Sequence, residues 1–132
     1  MERDRDNKPL VALTPDAWGT GANAGATIDR QGFDGQALFM VGFGTPGSSA
    51  TADVKVQESD DASTWSDVTG AVIPQQTTAA GLKTINVRLR KRKRYLRLLA
   101  TVATAAFDLG AMVTLSGGKT LPAFTPDIDV LT

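Results

Sequence analysis

Neither cysteine nor histidine occurs anywhere in the 132 residues. Without cysteine the chain has no disulfide, no thiolate nucleophile and no thiolate-bound metal. Without histidine every imidazole-based acid–base mechanism is removed, and no base of that kind is at hand to activate a serine or threonine. No apolar run approaches the ~18 residues that a membrane-crossing helix needs. The opening stretch MERDRDNKPL alternates its charges and lacks the apolar centre of a secretory signal. The chain is therefore expected to be made in a cytoplasm and used there, or assembled there into something larger. An excess of charge is missing too: fourteen basic residues stand against fourteen acidic ones. A free-standing nucleic-acid binder normally carries a clear positive surplus, because neutralising phosphates drives its affinity.

No constellation of catalytic residues fills these gaps. The sequence contains no Walker loop, no dinucleotide fingerprint and no cluster with metal-ligand spacing. The glycines of GTGANAG lack the strand-then-helix setting of a phosphate loop. The pairs Asp60–Asp61 and Asp127–Asp129 offer too few oxygens for a calcium loop, and turn solvation accounts for them. The expectation is a non-enzymatic protein without cofactor or metal.

What is present is strand patterning every ten to fifteen residues, punctuated by turn chemistry. ADVKVQES alternates, with Val54 and Val56 inward. KTINVRLR alternates with Ile85, Val87 and Leu89 inward, YLRLLATVA with Leu96, Leu98, Ala100 and Val102, and FDLGAMVTLS with Leu109, Ala111, Val113 and Leu115. LVAL at 10–13 and GATIDR at 25–30 are shorter candidates. QALFMVGF at 36–43 is apolar on both faces, more than a lone sandwich strand needs, so one face is expected to meet another subunit or the C-terminal tail. No segment holds a helical period over a dozen residues. The pattern predicts an all-β fold, an antiparallel β-sandwich of jelly-roll or immunoglobulin-like type over residues 10–116. A charged N-terminal arm (1–9) precedes it. An extended C-terminal tail (117–132) follows, whose Leu121, Phe124 and Ile128 are expected to lie on a partner.

The charge that exists is concentrated. VRLRKRKRYLRLLA, residues 87–100, holds seven of the fourteen Lys and Arg and no acidic residue. Arg90, Lys91, Arg92, Lys93 and Arg94 are consecutive, cannot be buried together, and are expected at a solvated hairpin tip or against acidic groups. Contact with an acidic surface of another subunit, contact with nucleic acid, and a plain solvated turn are the competing readings. Asp53, Glu58, Asp60, Asp61 and Asp67 form an acidic counterpart around the DDAST turn. Arg97 alternates with Leu96 and Leu98, so it stands on the outer face beside Tyr95 and is suited to pairing with a carboxylate. Trp65, just past the turn, is expected to cap the core, with a sugar-stacking platform as the alternative.

Taken together, TIDRQGFDGQALFMVGFGT, DVKVQESDDASTWSDVTGA and KRYLRLLATV resemble small structural proteins of tailed bacteriophages. The matching residues are Asp29, Gly32 and Phe33; Glu58, Ser59, Asp60, Asp61, Ser63, Trp65, Asp67 and Val68; and Arg94, Tyr95 and Arg97, across residues 27–116. The resemblance implies a virion protein of capsid decoration (cement) type. Such a protein sits on the outer surface of the phage head, binds the major capsid protein and self-associates, often as a homotrimer; the balanced charge and the lack of a long apolar run make nucleic acid and membrane unexpected partners. Head-completion, tail-associated and internal DNA-contacting roles are compatible with the same family. The run of five basic residues departs from the family pattern. ESDDASTWSDV with RYLRL also resembles the hairpin and strand of discoidin-like carbohydrate-binding jelly-rolls, although those commonly carry cysteines and more loop aromatics.

Overall fold

Alternation of apolar and polar residues builds almost every element of the computed structural model, which describes residues 7–33, 35–79, 81–116 and 128–130. In chain order the strands are β1 (Asn7–Trp18), β2 (Gly21–Ala24), β3 (Ile28–Asp29), β4 (Gln36–Pro46), β5 (Thr51–Ser59), β6 (Ser66–Gln76), β7 (Gly81–Arg88), β8 (Tyr95–Ala103), β9 (Phe107–Ser116) and β10 (Ile128–Val130). No helix occurs among the described residues. Two sheets pack face to face as a β-sandwich. The first has the order β1-β9-β4-β7-β10. The second has the order β2-β8-β5-β6, and β3 also pairs with β8. All these pairings are antiparallel except β10 with β7, which runs parallel, Ile128 beside Ile85 and Val130 beside Val87.

The inward faces close one continuous core. Phe39, Val41, Ile85, Val87, Val113 and Leu115 of the first sheet meet Val54, Val56, Ile73, Leu96 and Leu98 of the second, all at most 1% exposed. Phe43 and Phe107 meet edge to face, ring centroids 6.0 Å apart, the arrangement that ring quadrupoles favour. β4 is the central strand of its sheet. Its outward residues Leu38 and Met40 are only partly buried, so the double apolar character of QALFMVGF divides into a core face and an outer face.

Three expectations change. The N-terminal arm is shorter than 1–9, because Asn7–Pro9 already pair with Thr114–Ser116 in β1; an edge strand tolerates Pro9 because one side of its ladder is open. Within residues 117–132, Ile128–Val130 form β10, while Leu121 and Phe124 lie outside the described residues. Most consequentially, the basic run is not a hairpin tip. β7 and β8 belong to different sheets, so Leu89–Arg94 is a crossover that carries the chain from one layer to the other. The DDAST turn closes a hairpin: β5 and β6 pair Glu58 with Ser66 across it.

Candidate interaction surfaces

One end of the sandwich gathers the charged residues, and its chemistry starts in the β5–β6 turn. Ser59 Oγ is fully buried and accepts from the Asp61 and Ala62 amides (3.2 and 2.9 Å), while its own hydroxyl donates to Asp61 Oδ1 (2.9 Å). Asp61 Oδ1 also accepts the amides of Ser63 and Thr64, each at 2.9 Å. The turn residues thus satisfy their own backbone, as short polar side chains do in Asx-type turns. These bonds, led by those from Thr64 and Ser63, pull the Asp61 carboxyl down to about 2.

Against this turn lies the basic crossover, and it is tied down residue by residue. Leu89, fully buried, donates its amide to the Gly35 carbonyl (2.9 Å). The Arg92 amide closes a tight turn on the Leu89 carbonyl (2.9 Å). The Arg92 guanidinium lies 3.7 Å from Glu58, both side chains only 14% exposed, and Glu58 Oε1 accepts the Lys93 amide at 3.0 Å. Lys93 Nζ stands 3.9 Å from Asp60. Arg94 grips Asp29 through two nitrogens, at 3.0 and 2.9 Å, and this fork holds the Asp29 carboxyl below its usual value and raises the Arg94 guanidinium. Arg30 donates to the carbonyls of Arg92, Lys93 and Phe33, so even the backbone of the run is held by a further cation.

The structure therefore answers part of the electrostatic question. Three of the five basic residues have acidic neighbours within their own chain, and two of these neighbours, Glu58 and Asp60, belong to the acidic counterpart around the DDAST turn. Arg90 and Lys91 remain exposed, with no acidic partner among the described residues. Tyr95 is partly buried with the Arg94 guanidinium 5.0 Å from its ring.

Trp65 departs from expectation. It is half-buried on the outer face of the second sheet, not a cap on the core. The Arg97 guanidinium lies 4.3 Å from its ring centroid and donates to Gln57 Oε1 at 2.9 Å. Gln57 Nε2 and Lys55 Nζ both donate to Asp67, at 3.0 Å each, which lowers the Asp67 carboxyl. Arg97 is thus on the outer face, as its alternation required, but its partner is an amide and an indole instead of a carboxylate. Trp65→Ala is accordingly expected to cost about 1–2 kcal/mol, below the ~3–5 of a fully buried aromatic, since an exposed cation–π pair contributes about 0.5–1; urea denaturation measures this.

Acid should loosen this end of the molecule. Asp29, Asp61 and Asp67 all have depressed carboxyls. Such groups contribute stability above the unfolded value of 3.8 that is lost as pH falls through the folded one. Melting temperature is expected to drop most steeply between about pH 4 and pH 2. Asp61→Asn, which keeps the Oδ1 acceptor but not the titration, should flatten that drop.

Beyond this end, part of the outer face of the first sheet is apolar, while its outward Gln36, Thr84 and Asn86 are polar and buried. Val11, Leu82 and Met112 are 50%, 62% and 48% exposed. Gly42 and Gly110 sit opposite each other in the β4–β9 ladder and leave a shallow trough bordered by Pro15, with Asp16 and Asp108 at one end. A side chain at position 110 would press on Pro15 at 3.0 Å, so the bare backbone here is what lets β1 pack close. Among the described residues no group of His, Cys, Asp and Glu is arranged to hold a metal ion.

Comparison with known proteins yields no matching family model and no matching curated protein. Among solved structures the chain is similar to one described as "Bacillus endospore appendages form a novel family of disulfide-linked pili", at 12% identity and a TM-score of 0.39, over 85% of this chain and 88% of that one.

Proposed function

We propose that the chain is a non-enzymatic structural protein of a tailed-phage virion, a decoration protein that binds the major capsid protein on the outer surface of the head and braces the lattice. The observation that supports this reading is the joining of the resemblance-bearing residues into one unit. Asp29 is clamped by Arg94, Glu58 holds the Lys93 amide, and Trp65 lies on Arg97. Residues from three separate segments of the chain thus build a single rigid end. Within that end Arg90 and Lys91 are the basic groups left to meet an acidic protein surface, and an exposed pair in this position adds more to orientation and encounter than to affinity. Nucleic acid is not the expected partner, because the run is largely neutralised at home and the net charge is zero.

The test is to purify phage particles made with the gene tagged. The protein should co-purify in constant ratio to the major capsid protein and be accessible to antibody on intact heads. Absence from particles, or exposure only after the head is opened, contradicts the proposal. A second reading follows from Trp65, whose partial exposure beside Gln57 and Asp67 also suits a sugar-stacking platform. Glycan binding that is lost in Trp65→Ala with the melting temperature kept would favour it.

A further inference from the structure

We infer that the link between β9 and β10, residues 117–127, runs across the outer face of the first sheet and covers the part of that face nearest Arg88. This goes beyond the capsid reading and stands without it. It gives Leu121 and Phe124, expected on a partner, to the chain's own sheet.

Burial is uneven along this face. Gln36, Thr84 and Asn86 point outward, yet they are 5%, 6% and 1% exposed within the single chain. Leu82, the next outward residue of β7 before Thr84, is 62% exposed. Neighbours within the sheet do not account for the difference. Met112 has Met40 beside it on β4 and Val11 on β1, and is still 48% exposed. Asn86 likewise has Leu38 on one side and Asp129 on the other. A side chain standing on a sheet face is fully buried only beneath another layer. All the described strands belong to the two sheets, so none of them forms that layer. In the crossover, Arg92, Lys93 and Arg94 turn to Glu58, Asp60 and Asp29, beside the second sheet. One chain suffices for the burial, so the cover belongs to that chain.

Topology leads the chain over the same spot. β9 ends at Ser116, opposite Gln36, which in turn stands opposite Arg88. β10 lies beyond β7, runs parallel to it and begins at Ile128 beside Ile85. From Ser116 the chain therefore passes β4 and β7, and returns from the level of Arg88 to that of Ile85 before β10 starts. The inner side is closed by the core, in which Phe39, Ile85 and Val87 are fully buried. The span is roughly 17 Å, from strand spacing and rise, whereas residues 117–127 extend to roughly 36 Å. That leaves enough length to rise over the outward side chains. Gln36 lies where this path begins, and Asn86 and Thr84 where it comes down to β10. Val11 and Met112, on β1 and β9, lie off it and stay exposed.

Composition suits a covering layer. GGKTLPAFTPD opens on two glycines, which turn away from β9 without strain. Pro122 and Pro126 lack the amides of a ladder strand. Leu121, Pro122 and Phe124 match the partly buried Leu38 and Met40 of β4. The carbonyls and remaining amides of the link supply hydrogen bonds of the kind that buried Gln36, Thr84 and Asn86 side chains require.

A nitroxide attached at Thr125→Cys tests this in the full chain, which has no other cysteine. In isotope-labelled protein the amide resonances of Leu38, Thr84 and Asn86 should lose most of their intensity. Those of Val72 and Leu99, on the outer face of the second sheet, should lose far less. Isotope-labelled chains without the nitroxide, mixed with unlabelled chains that carry it, should keep all their signals. Loss of the Thr84 and Asn86 signals in that mixture overturns the proposal by giving the face to the link of a second copy. Full intensity at Thr84 and Asn86 in the singly modified chain, or equal loss on both sheets, overturns it as well. Leu121→Ser with Phe124→Ser leaves β10 intact and should lower the melting temperature and let a hydrophobic dye bind. An unchanged melting temperature with no dye binding would count against the link as the covering layer.

Discussion

Gly25→Ala is expected to be the most damaging single-methyl substitution in the protein. The segment after β2 passes between the two sheets' edges: Gly25 donates its amide to Leu98 of β8 (2.8 Å), and Ala26 donates to Ala12 of β1 (2.9 Å). A Cβ at position 25 would stand 2.2 Å from the Ala12 carbonyl oxygen and 3.3 Å from that of Leu98. Both obstacles are backbone, so no rotamer change relieves them. Ala12 is fully buried at a register shift in the β1–β9 ladder, and displacing it strains the edge of the first sheet. Overpacking costs about 1–3 kcal/mol, and two lost hydrogen bonds add about 0.5–1.5 each. A loss of roughly 3–5 kcal/mol is expected, lowering the melting temperature by about 10 °C or more. A change under about 1 kcal/mol in urea denaturation would mean that this close approach does not hold the sheets together.

Removal of Glu58 carries the second large effect. Its carboxylate is the one group that accepts the Lys93 amide and also faces the Arg92 guanidinium, whose Nε is buried without a partner among the described residues. Glu58→Ala leaves that half-buried cation facing nothing acidic. Charge-assisted bonds of this kind are worth about 1.5–3 kcal/mol, and the loss is expected in that range. Asp60→Ala should cost less than about 1 kcal/mol, because the Lys93–Asp60 contact is long and exposed. The contrast between the two substitutions, read by thermal melting, tests whether the crossover is clamped by Glu58 or only screened by nearby acid. The Glu58 variant should also gain measurable affinity for duplex DNA at low salt, since an unpaired basic run regains its attraction for phosphate.

Legibility of the fold followed the strength of alternation. The regular β5, β7, β8 and β9 were readable to within a few residues, because each has one face in the core and one in solvent. β1 was visible only at Leu10–Leu13, since two register shifts break its period and Pro9 and Pro15 imitate loop chemistry. β2, of sequence Gly-Ala-Asn-Ala, carries no apolar pattern at all; its pairing with β8 makes it a strand. The crossover at Leu89–Arg94 is not legible in the sequence, because a short polar link between two alternating strands fits a hairpin and a change of sheet equally well. Sheet order, which no local pattern encodes, decides between them. The same limit applies to the clamp: the acidic residues were identified as the counterpart of the basic run, but only the packing of the β5–β6 turn against the crossover shows that the two meet within one chain. The place of Trp65 is hidden for a narrower reason. It precedes Ser66, the first residue of β6, and so lies outside the ladder; the outward Arg97, already apparent from its alternation, was the clue to where the indole rests.

The proposed role is tested most directly by mixing the purified protein with expanded phage heads that lack it and measuring what sediments with them. Saturable binding is expected, at a fixed ratio to the major capsid protein, reduced by raised salt and by Arg90→Ser with Lys91→Ser while the fold is kept. A protein that stays in the supernatant with every such head, at every salt concentration, would contradict the account.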